Sequence, residues 1–275
     1  MSATFAGLFI HPVKSAAGIA CRSARLGPYG LQHDREWLVV DERGRFVTQR
    51  EEARLALLST AIDNGALRLA NPAGPGPSLD LQHEGPLREV QVWRSVCAAF
   101  DAGDEVADFL SVWRGRPLRL VRFDQRRARL ANHDWTGGRD VPTLFPDGYP
   151  LLVLSEASIA DLSARVGRDL PVQRFRPNLL LGGIAPYAED EIDELVAGGA
   201  RIRLTKACTR CVITTVDPVR GERDGEEPLR TLKKYRHDAT LRGVVFGRNA
   251  YVLTGEGTQL SVGMPVTAVA QPAAG

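Results

Sequence analysis

Alternating hydrophobic and polar positions run through most of the chain and predict a β-rich protein. Residues 5–10, 90–93 and 96–100 each place apolar side chains at every second position or in short buried runs. Such period-two patterns, rich in β-branched and aromatic residues, are typical of strands. Residues 45–48 have the same character after a turn at 41–44 and are also predicted to be a strand.

Two stretches have helical spacing instead. Asp104 and Ser155 are predicted N-caps, and Gly115 and Gly167 are placed to end the two helices. The apolar faces consist of Val106, Phe109, Leu110 and Trp113 in the first helix and Ile159, Leu162 and Val166 in the second. The pattern therefore predicts a β-rich α+β fold with a few short helices.

Residues 71–77, which alternate proline with small residues, are predicted to be a loop. Arg176 precedes a proline, which favours an extended backbone at that residue. Between residues 114 and 129 the chain carries seven arginines. This stretch is either an ordinary solvated surface or a docking patch for an acidic electron donor, because complementary charge mainly speeds association.

The clearest candidate chemistry lies between two predicted strands, residues 201–204 and 212–216. There Cys208 and Cys211 form a C-x-x-C motif, and neighbouring cations such as Arg210 favour the thiolate, the form that binds metals or attacks. The motif can therefore hold a soft metal or act as a reactive thiol.

Three interpretations of this motif stay open from the residues alone. A structural zinc site needs four ligands, yet Cys21 and Cys97 are isolated. A thioredoxin-type dithiol needs a helix directly after the motif, where β-branched residues stand instead. Two ordinary half-buried cysteines are the third interpretation.

Composition narrows the class of protein. The 275 residues can form one large domain or two small ones, and a boundary is expected at residues 121–124. The formal net charge of +2 is too small to indicate a nucleic-acid or membrane partner. No signal peptide or membrane-spanning run is evident, and four unevenly spaced cysteines form no disulfide framework. A cytoplasmic protein is the simplest expectation.

Several motifs together resemble one family. Residues 207–218, Ala-Cys-Thr-Arg-Cys-Val-Ile-Thr-Thr-Val-Asp-Pro, and residues 227–236 resemble the C-terminal core of MOSC-domain proteins, most of all the mitochondrial amidoxime reducing component and its bacterial relatives. The segments 11–15, 34–35, 147–150 and 174–183 resemble further signatures of that family. The resemblance implies a MOSC-associated β-barrel-like domain at 1–122 and a MOSC β-barrel domain at 123–272.

The resemblance also implies a molybdenum-molybdopterin cofactor and a set of site residues. Cys211, and not Cys208, would be the metal ligand and catalytic centre. Asp147 would lie close to the metal as a proton donor or water organiser. The implied cofactor contacts are Lys14, Ser15 and Arg35 at the terminal phosphate, Arg176 and Asn178 at the pterin, Thr209 and Arg210 beside Cys211, and Asn249.

The implied reaction is two-electron reduction of small N-hydroxylated compounds, such as amidoximes or hydroxylamines, with loss of water. Some relatives carry a ferredoxin domain that this chain does not show, so a separate flavin, haem or iron–sulfur protein is expected to donate electrons. No nucleic-acid or membrane partner is expected. The alternatives are a carrier or storage protein for the cofactor and a metal-free dithiol protein.

Overall fold

The computed structural model describes residues 2–127 and 129–271, so the outer limits of the expected domains, 1 and 272, lie outside it. Strands dominate these residues, as the alternating pattern predicted. Those of the first half are β1 (Ser2–Ile10), β2 (Ile19–Cys21), β3 (Ser23–Gly27), β4 (Gly30–Leu31), β5 (Trp37–Val40), β6 (Ser59–Asp63), β7 (Ala66–Asn71), β8 (Gly74–Asp80), β9 (Leu87–Val92), β10 (Ser95–Asp101) and β11 (Arg119–Phe123). Those of the second half are β12 (Arg129–Leu130), β13 (Pro142–Thr143), β14 (Leu151–Ser155), β15 (Leu179–Gly182), β16 (Ile192–Ala197), β17 (Ala200–Thr209), β18 (Val216–Asp217), β19 (Glu222–Arg223), β20 (His237–Asp238), β21 (Gly243–Thr254), β22 (Gln259–Ser261) and β23 (Pro265–Ala270).

The α-helices of the described chain are α1 (Asp104–Arg114), α2 (Glu156–Val166) and α3 (Leu229–Lys233). Short 3-10 helices lie at Ala53–Leu57, Gln125–Arg127, His133–Trp135, Val172–Arg174, Ala188–Glu191 and Val212–Thr215. Both predicted helices are confirmed, and Gly115 and Gly167 end them in the left-handed conformation. Ser155 caps α2 by accepting a hydrogen bond from the Ser158 amide at 3.1 Å. At α1 the prediction of Asp104 as the N-cap was wrong. The N-cap is Gly103, and its amide donates to Asp101 Oδ1.

Seven strands close into a barrel. Their order is β14-β15-β1-β23-β16-β17-β21, and β21 pairs back to β14. Only β14 and β15 are parallel, because α2 crosses over between them. The barrel interior is filled by inward-facing apolar side chains such as Phe5, Leu151, Val153, Leu181 and Leu195.

The first half of the chain adds a second β unit against this barrel. Strands β5, β11, β10 and β9 form an antiparallel sheet, and β6, β7 and β8 form another beneath α1. Strand β5 is buried on both faces. Trp37 and Val39 pack into the core under α1, while Leu38 and Val40 face a core around Phe123.

Three predictions of a strand or a loop were also wrong. Residues 74–77 belong to β8 rather than a loop, because β8 is the edge strand of its sheet and an edge tolerates proline. Residues 45–48 form only isolated bridges at Arg45 and Phe46. Residues 212–215 form a 3-10 helix, in which the Thr214 and Thr215 hydroxyls donate to carbonyls three residues back and satisfy the turn locally.

Within residues 2–127 and 129–271, no helix combines the length and apolar character needed to cross a lipid bilayer.

Gly247, in the strand that closes the barrel, is expected to tolerate no side chain. Its φ is +79°, and an added Cβ would lie 2.7 Å from the Val153 carbonyl oxygen and 2.9 Å from Leu154 Cγ. Gly65 has nearly the same φ, +78°, but an added Cβ would meet no described atom within 4 Å.

Gly65→Ala should therefore cost about 1–2 kcal/mol of unfolding free energy through backbone strain alone. Gly247→Ala should cost about 2 kcal/mol more through overpacking. Urea unfolding of the two variants measures the difference. Equal costs would show that the contact with β14 is not tight.

Candidate functional site

One cavity opens where β1 finishes and β14 and β15 begin, and residues at the end of β17 and just after it also line it. Because β1 is antiparallel to β15, and β14 is parallel to β15, the loop after β1 and the loops before β14 and β15 meet there. The cavity is lined by all ten residues that the resemblance assigned to the site: Lys14, Ser15, Arg35, Asp147, Arg176, Asn178, Thr209, Arg210, Cys211 and Asn249. Cys208 and Arg50 line it too.

The cavity is strongly cationic. Of the described residues that line it, five carry positive charge, and the one carboxylate is Asp147. The five cations are Lys14, Arg35, Arg50, Arg176 and Arg210. A wall with this excess of positive charge suits an anionic ligand such as a phosphate.

Lys14 and Asp147 form an ion pair in the wall of the cavity. Lys14 Nζ donates to Asp147 Oδ1 at 2.6 Å and to the Phe145 carbonyl oxygen at 2.7 Å. Burial lowers the pKa of Lys14 to about 8, although Asp147 opposes the shift. Burial also disfavours the Asp147 carboxylate, but Lys14 and Arg50 outweigh that effect and lower its pKa well below the usual range. Asp147 is therefore ionised throughout the physiological pH range.

The depressed pKa of Lys14 predicts a pH-dependent stability. Between pH 8 and 10.5 the unfolded chain binds more protons at this lysine than the folded protein does. Lys14 therefore disfavours folding below pH 8, and this cost is relieved as the pH rises to 10.5. In Lys14→Met the free energy of unfolding should rise less steeply across this window than in the wild type.

Urea unfolding of cofactor-free protein at a series of pH values measures the two slopes. Lys233→Met, which removes an exposed lysine from α3, controls for the loss of one positive charge. Parallel pH profiles of Lys14→Met and the wild type would contradict the assignment.

Arg35 and Asn178 join three segments behind the cavity. Asn178 is fully buried, and its Oδ1 accepts from Arg35 Nη1 at 3.0 Å and from the Leu152 amide at 3.1 Å. Its Nδ2 donates to the Phe9 carbonyl oxygen at 3.1 Å. Arg35 also pairs with the buried carboxylate of Asp34. Asn178 thus positions Arg35 and the start of β14.

Arg176 has the left-handed conformation, with φ +56°, so the prediction of an extended backbone there was wrong. Tertiary contacts override the preference before proline. Arg35 Nη2 donates to the Arg176 carbonyl oxygen at 3.1 Å, and the Arg176 guanidinium donates to the Ala16 carbonyl. Burial, together with Arg35, lowers the pKa of Arg176 to about 9. Its Nη2 is buried without a hydrogen-bond partner in the described structure.

Backbone strain is concentrated in this cavity. Ser15, Arg35 and Arg176 all line it, and all have positive φ, at +66°, +52° and +56°. Side chains other than glycine adopt this region at a cost, and such residues cluster at functional sites. Three of the eight described non-glycine residues with positive φ therefore line this cavity.

The two cysteines have different surroundings. Cys208 lies in β17 and accepts a hydrogen bond from Arg210 Nη1 at 3.2 Å. Cys211 follows that strand and precedes the 3-10 helix, and both the amide and the hydroxyl of Thr214 donate to its carbonyl oxygen. Burial lowers the pKa of Arg50, but Asp147 and Cys211 raise it by more. The Arg50 guanidinium lies beside the Cys211 sulfur. Cys211 is thus the cysteine held next to the Asp147 pair.

The remaining expected residues lie at the rim. Thr209 is exposed at the end of β17, and the Arg210 guanidinium reaches back to the Phe175 carbonyl oxygen at 2.6 Å. Asn249 projects from β21 and donates to the Lys206 carbonyl oxygen at 3.0 Å. That bond supports the irregular part of β17 from which the cysteine motif begins.

Arg50 is the site residue that the sequence interpretation missed. Its Nη2 donates to Asp147 Oδ2 at 3.1 Å, and its guanidinium lies 4.6 Å from the centre of the Trp93 ring. Arg50 is distant in sequence from every motif of the site. Its link to the loop of Lys14 and Ser15 is indirect: Arg50 follows Gln49, whose side chain donates to the Ser15 carbonyl oxygen at 2.7 Å.

Comparison with known proteins agrees with this architecture. Residues 2–117 match the MOSC N-terminal beta barrel domain, and residues 140–267 match the MOSC domain. The chain is 36% identical over 242 residues to mitochondrial amidoxime reducing component 2 of Bos taurus, covering 85% of this chain and 72% of the relative. It is 35% identical over 285 residues to mitochondrial amidoxime-reducing component 1 of Homo sapiens, covering 98% and 83%. The chain belongs to this MOSC-domain family.

Within the MOSC domain, two interpretations of the cysteine motif, the structural zinc site and the thioredoxin-type dithiol, find little support. No group of three or more His, Cys, Asp or Glu residues in the described chain is arranged to hold a metal ion, which removes the ligand set of a zinc site. A dithiol of the thioredoxin type needs a helix after the motif, and only a four-residue 3-10 helix follows Cys211.

The arginine-rich stretch that joins the two MOSC regions is mostly bound to its own chain. Arg114, Arg119 and Arg126 pair with carboxylates, and Arg122 and Arg129 donate to oxygen atoms of neighbouring loops. Arg116 and Arg127 are the exposed members whose side chains have no described ion pair. The stretch is therefore mainly structural.

Proposed function

We propose that this protein is a molybdenum-cofactor-dependent reductase of N-hydroxylated compounds such as amidoximes and hydroxylamines. The observation that carries the proposal is the convergence of the ten expected residues, Cys211 among them, in one cationic cavity. The relatives are named for reducing amidoximes. For an amidoxime, two electrons and two protons would break the N–O bond and give the amidine and one water.

The side chains of the cavity suit an anionic pterin. Arg176 Nη2 and Arg50 Nη1 are buried without partners among the described residues, and an unpaired buried donor is costly. Burial chiefly lowers the pKa values of Lys14 and Arg176, and Arg35 lowers both further, so an anion bound here would favour their charged forms. A phosphate would supply both the acceptors and the missing negative charge.

The residues take distinct roles in this proposal. Lys14, Ser15 and Arg35 would hold the phosphate, and Arg176 would bind the pterin. Asn178 would act chiefly by positioning Arg35, since most of its polar atoms already have partners. Thr209, Arg210 and Asn249 would border the cofactor at the rim.

Cys211 would bind the metal through its thiolate, the form that soft metals prefer. When bound, the molybdenum-molybdopterin would supply the two-electron redox chemistry. The hydrogen bonds from Thr214 to the Cys211 carbonyl oxygen hold the backbone of the ligand in place.

Asp147 would organise water and cations rather than donate protons. A carboxyl group with a strongly lowered pKa stays ionised and is a weak general acid near neutral pH. Its oxygens instead accept from Lys14, Arg50 and Trp93 at once. A water held by this carboxylate would deliver protons to the site.

Electrons would come from a separate flavin, haem or iron–sulfur protein. The relatives are each named a component, which supports a system of several proteins. We further propose a division of the chain near residue 122, a cytoplasmic location, and no nucleic-acid or membrane partner.

A turnover assay tests the proposal. Protein purified from a cofactor-competent host would be reduced chemically, and benzamidine formed from benzamidoxime would be followed by chromatography. Repeated turnover is expected, and none from protein made in a cofactor-deficient host. Loaded protein that never oxidises its reductant in the presence of benzamidoxime would instead favour cofactor storage.

A further inference from the structure

A second cavity adjoins the cofactor cavity. It is lined by Phe46, Gln91, Trp93, Arg94, Arg129 and Asp147 among others, and Asp147 lines both cavities. The two spaces therefore meet at the carboxylate that pairs with Lys14 and Arg50. A molecule whose reacting group lies beside Cys211 has this second cavity next to it.

Trp93 is the unusual residue of the second cavity. It stands between β9 and β10, and its φ of +57° is costly for a bulky side chain. It is 45% exposed, so core packing does not account for its position. Its indole Nε1 donates to Asp147 Oδ1 at 3.2 Å, which directs the ring toward the junction of the two cavities.

Two further contacts fix the ring. The Arg50 guanidinium lies 4.6 Å from its centre, and Phe46 meets it edge-on with ring centroids 5.0 Å apart. Such cation–π and edge-to-face contacts orient aromatic rings. An exposed tryptophan held in this way is a rigid, preorganised surface for another planar ring.

We propose that Trp93 is a specificity-determining residue and that the second cavity takes the planar aromatic or heteroaromatic body of the substrate. The inference rests on the proposed function for the reacting end, where the N-hydroxyl group would face Cys211. It adds the class of substrate: N-hydroxylated compounds in which the N-hydroxylated group is attached to an aromatic ring, in preference to small aliphatic ones.

Binding of the reaction products, benzamidine and acetamidine, tests the subsite without turnover. Calorimetry would compare benzamidine with acetamidine on wild type, Trp93→Ala and Trp93→Phe. Loss of one stacking surface is worth about a tenfold change in affinity, so benzamidine binding should weaken about tenfold in Trp93→Ala and less in Trp93→Phe. The ratio of benzamidine to acetamidine affinity should fall accordingly. Val96→Ala, at an exposed position on the same hairpin, is the matched control.

Turnover provides the second readout. The ratio of kcat/KM for benzamidoxime over acetamidoxime should fall about tenfold in Trp93→Ala, mainly through KM. An equal loss on both compounds, or no loss on either, would overturn the subsite. Wild-type protein that binds benzamidine through Trp93 but reduces neither compound would leave the subsite standing and refute the proposed reaction.

Discussion

Cys211→Ser should reduce turnover to background, whereas Cys208→Ser should retain most of it. A serine hydroxyl is far less acidic than a thiol and is a poor ligand for a metal that prefers soft sulfur. Only Cys211 lies beside the Asp147–Arg50 pair, while Cys208 faces Arg210 within β17. The two single substitutions change the same atom type three positions apart, so each controls for the other.

The measurement is benzamidoxime turnover, with the thermal midpoint of the cofactor-free variants as a check on folding. Similar midpoints would confine the difference to the site. Loss of turnover in Cys208→Ser together with retention in Cys211→Ser would show that our account assigns the metal ligand to the wrong cysteine. Equal retention in both would remove cysteine ligation from the mechanism.

Asp147→Asn should lower turnover about 10- to 100-fold, the usual cost of losing a group that orients a metal site. The substitution keeps the shape of the side chain but removes its charge. Because Asp147 opposes the fall in the pKa of Lys14, that pKa should drop further below 8 in the variant. Lys14 then loses its charge as the pH rises toward neutrality, and the affinity of the site for a phosphate falls.

The pH dependence separates this account from simple damage. The loss in Asp147→Asn should be larger at pH 8 than at pH 6, in both turnover and retained molybdenum. Asp63→Asn is a matched control, since the Asp63 side chain is 53% exposed and that of Asp147 is 52% exposed. Asp63 pairs with Arg68 at an N–O distance of 3.0 Å, and neither residue lines the cavity. Full turnover and normal cofactor content in Asp147→Asn would refute the role.

Local patterns were enough to predict much of the fold. The period-two stretches at 5–10 and 96–100 and most of 90–93 became strands, and the caps at Ser155 and Gly167 bounded α2 as expected, because both signals act within a few residues. Two predictions failed for different reasons. Val212–Thr215 became a 3-10 helix because the threonine hydroxyls donate to carbonyls three residues back, which composition alone does not indicate. Residues 74–77 became a strand because they pair with β7 at the edge of a sheet, where proline is tolerated.

The candidate site divides in the same way. Family resemblance named ten residues, and the barrel end brings all ten to one cavity. Residue identity alone could not give the positive φ of Arg176, which Arg35 imposes from another segment. It could not give Arg50 or Trp93 either, since their roles arise only where the first half of the chain meets the loop of Asp147.

The most direct test of the central claim is the molybdenum content of the purified protein, measured by mass spectrometry beside Cys211→Ser. From a cofactor-competent host, the wild type should carry close to one molybdenum per chain, and the variant should lose it. No molybdenum in the wild type, or equal amounts in both proteins, would contradict a cysteine-bound cofactor in this cavity.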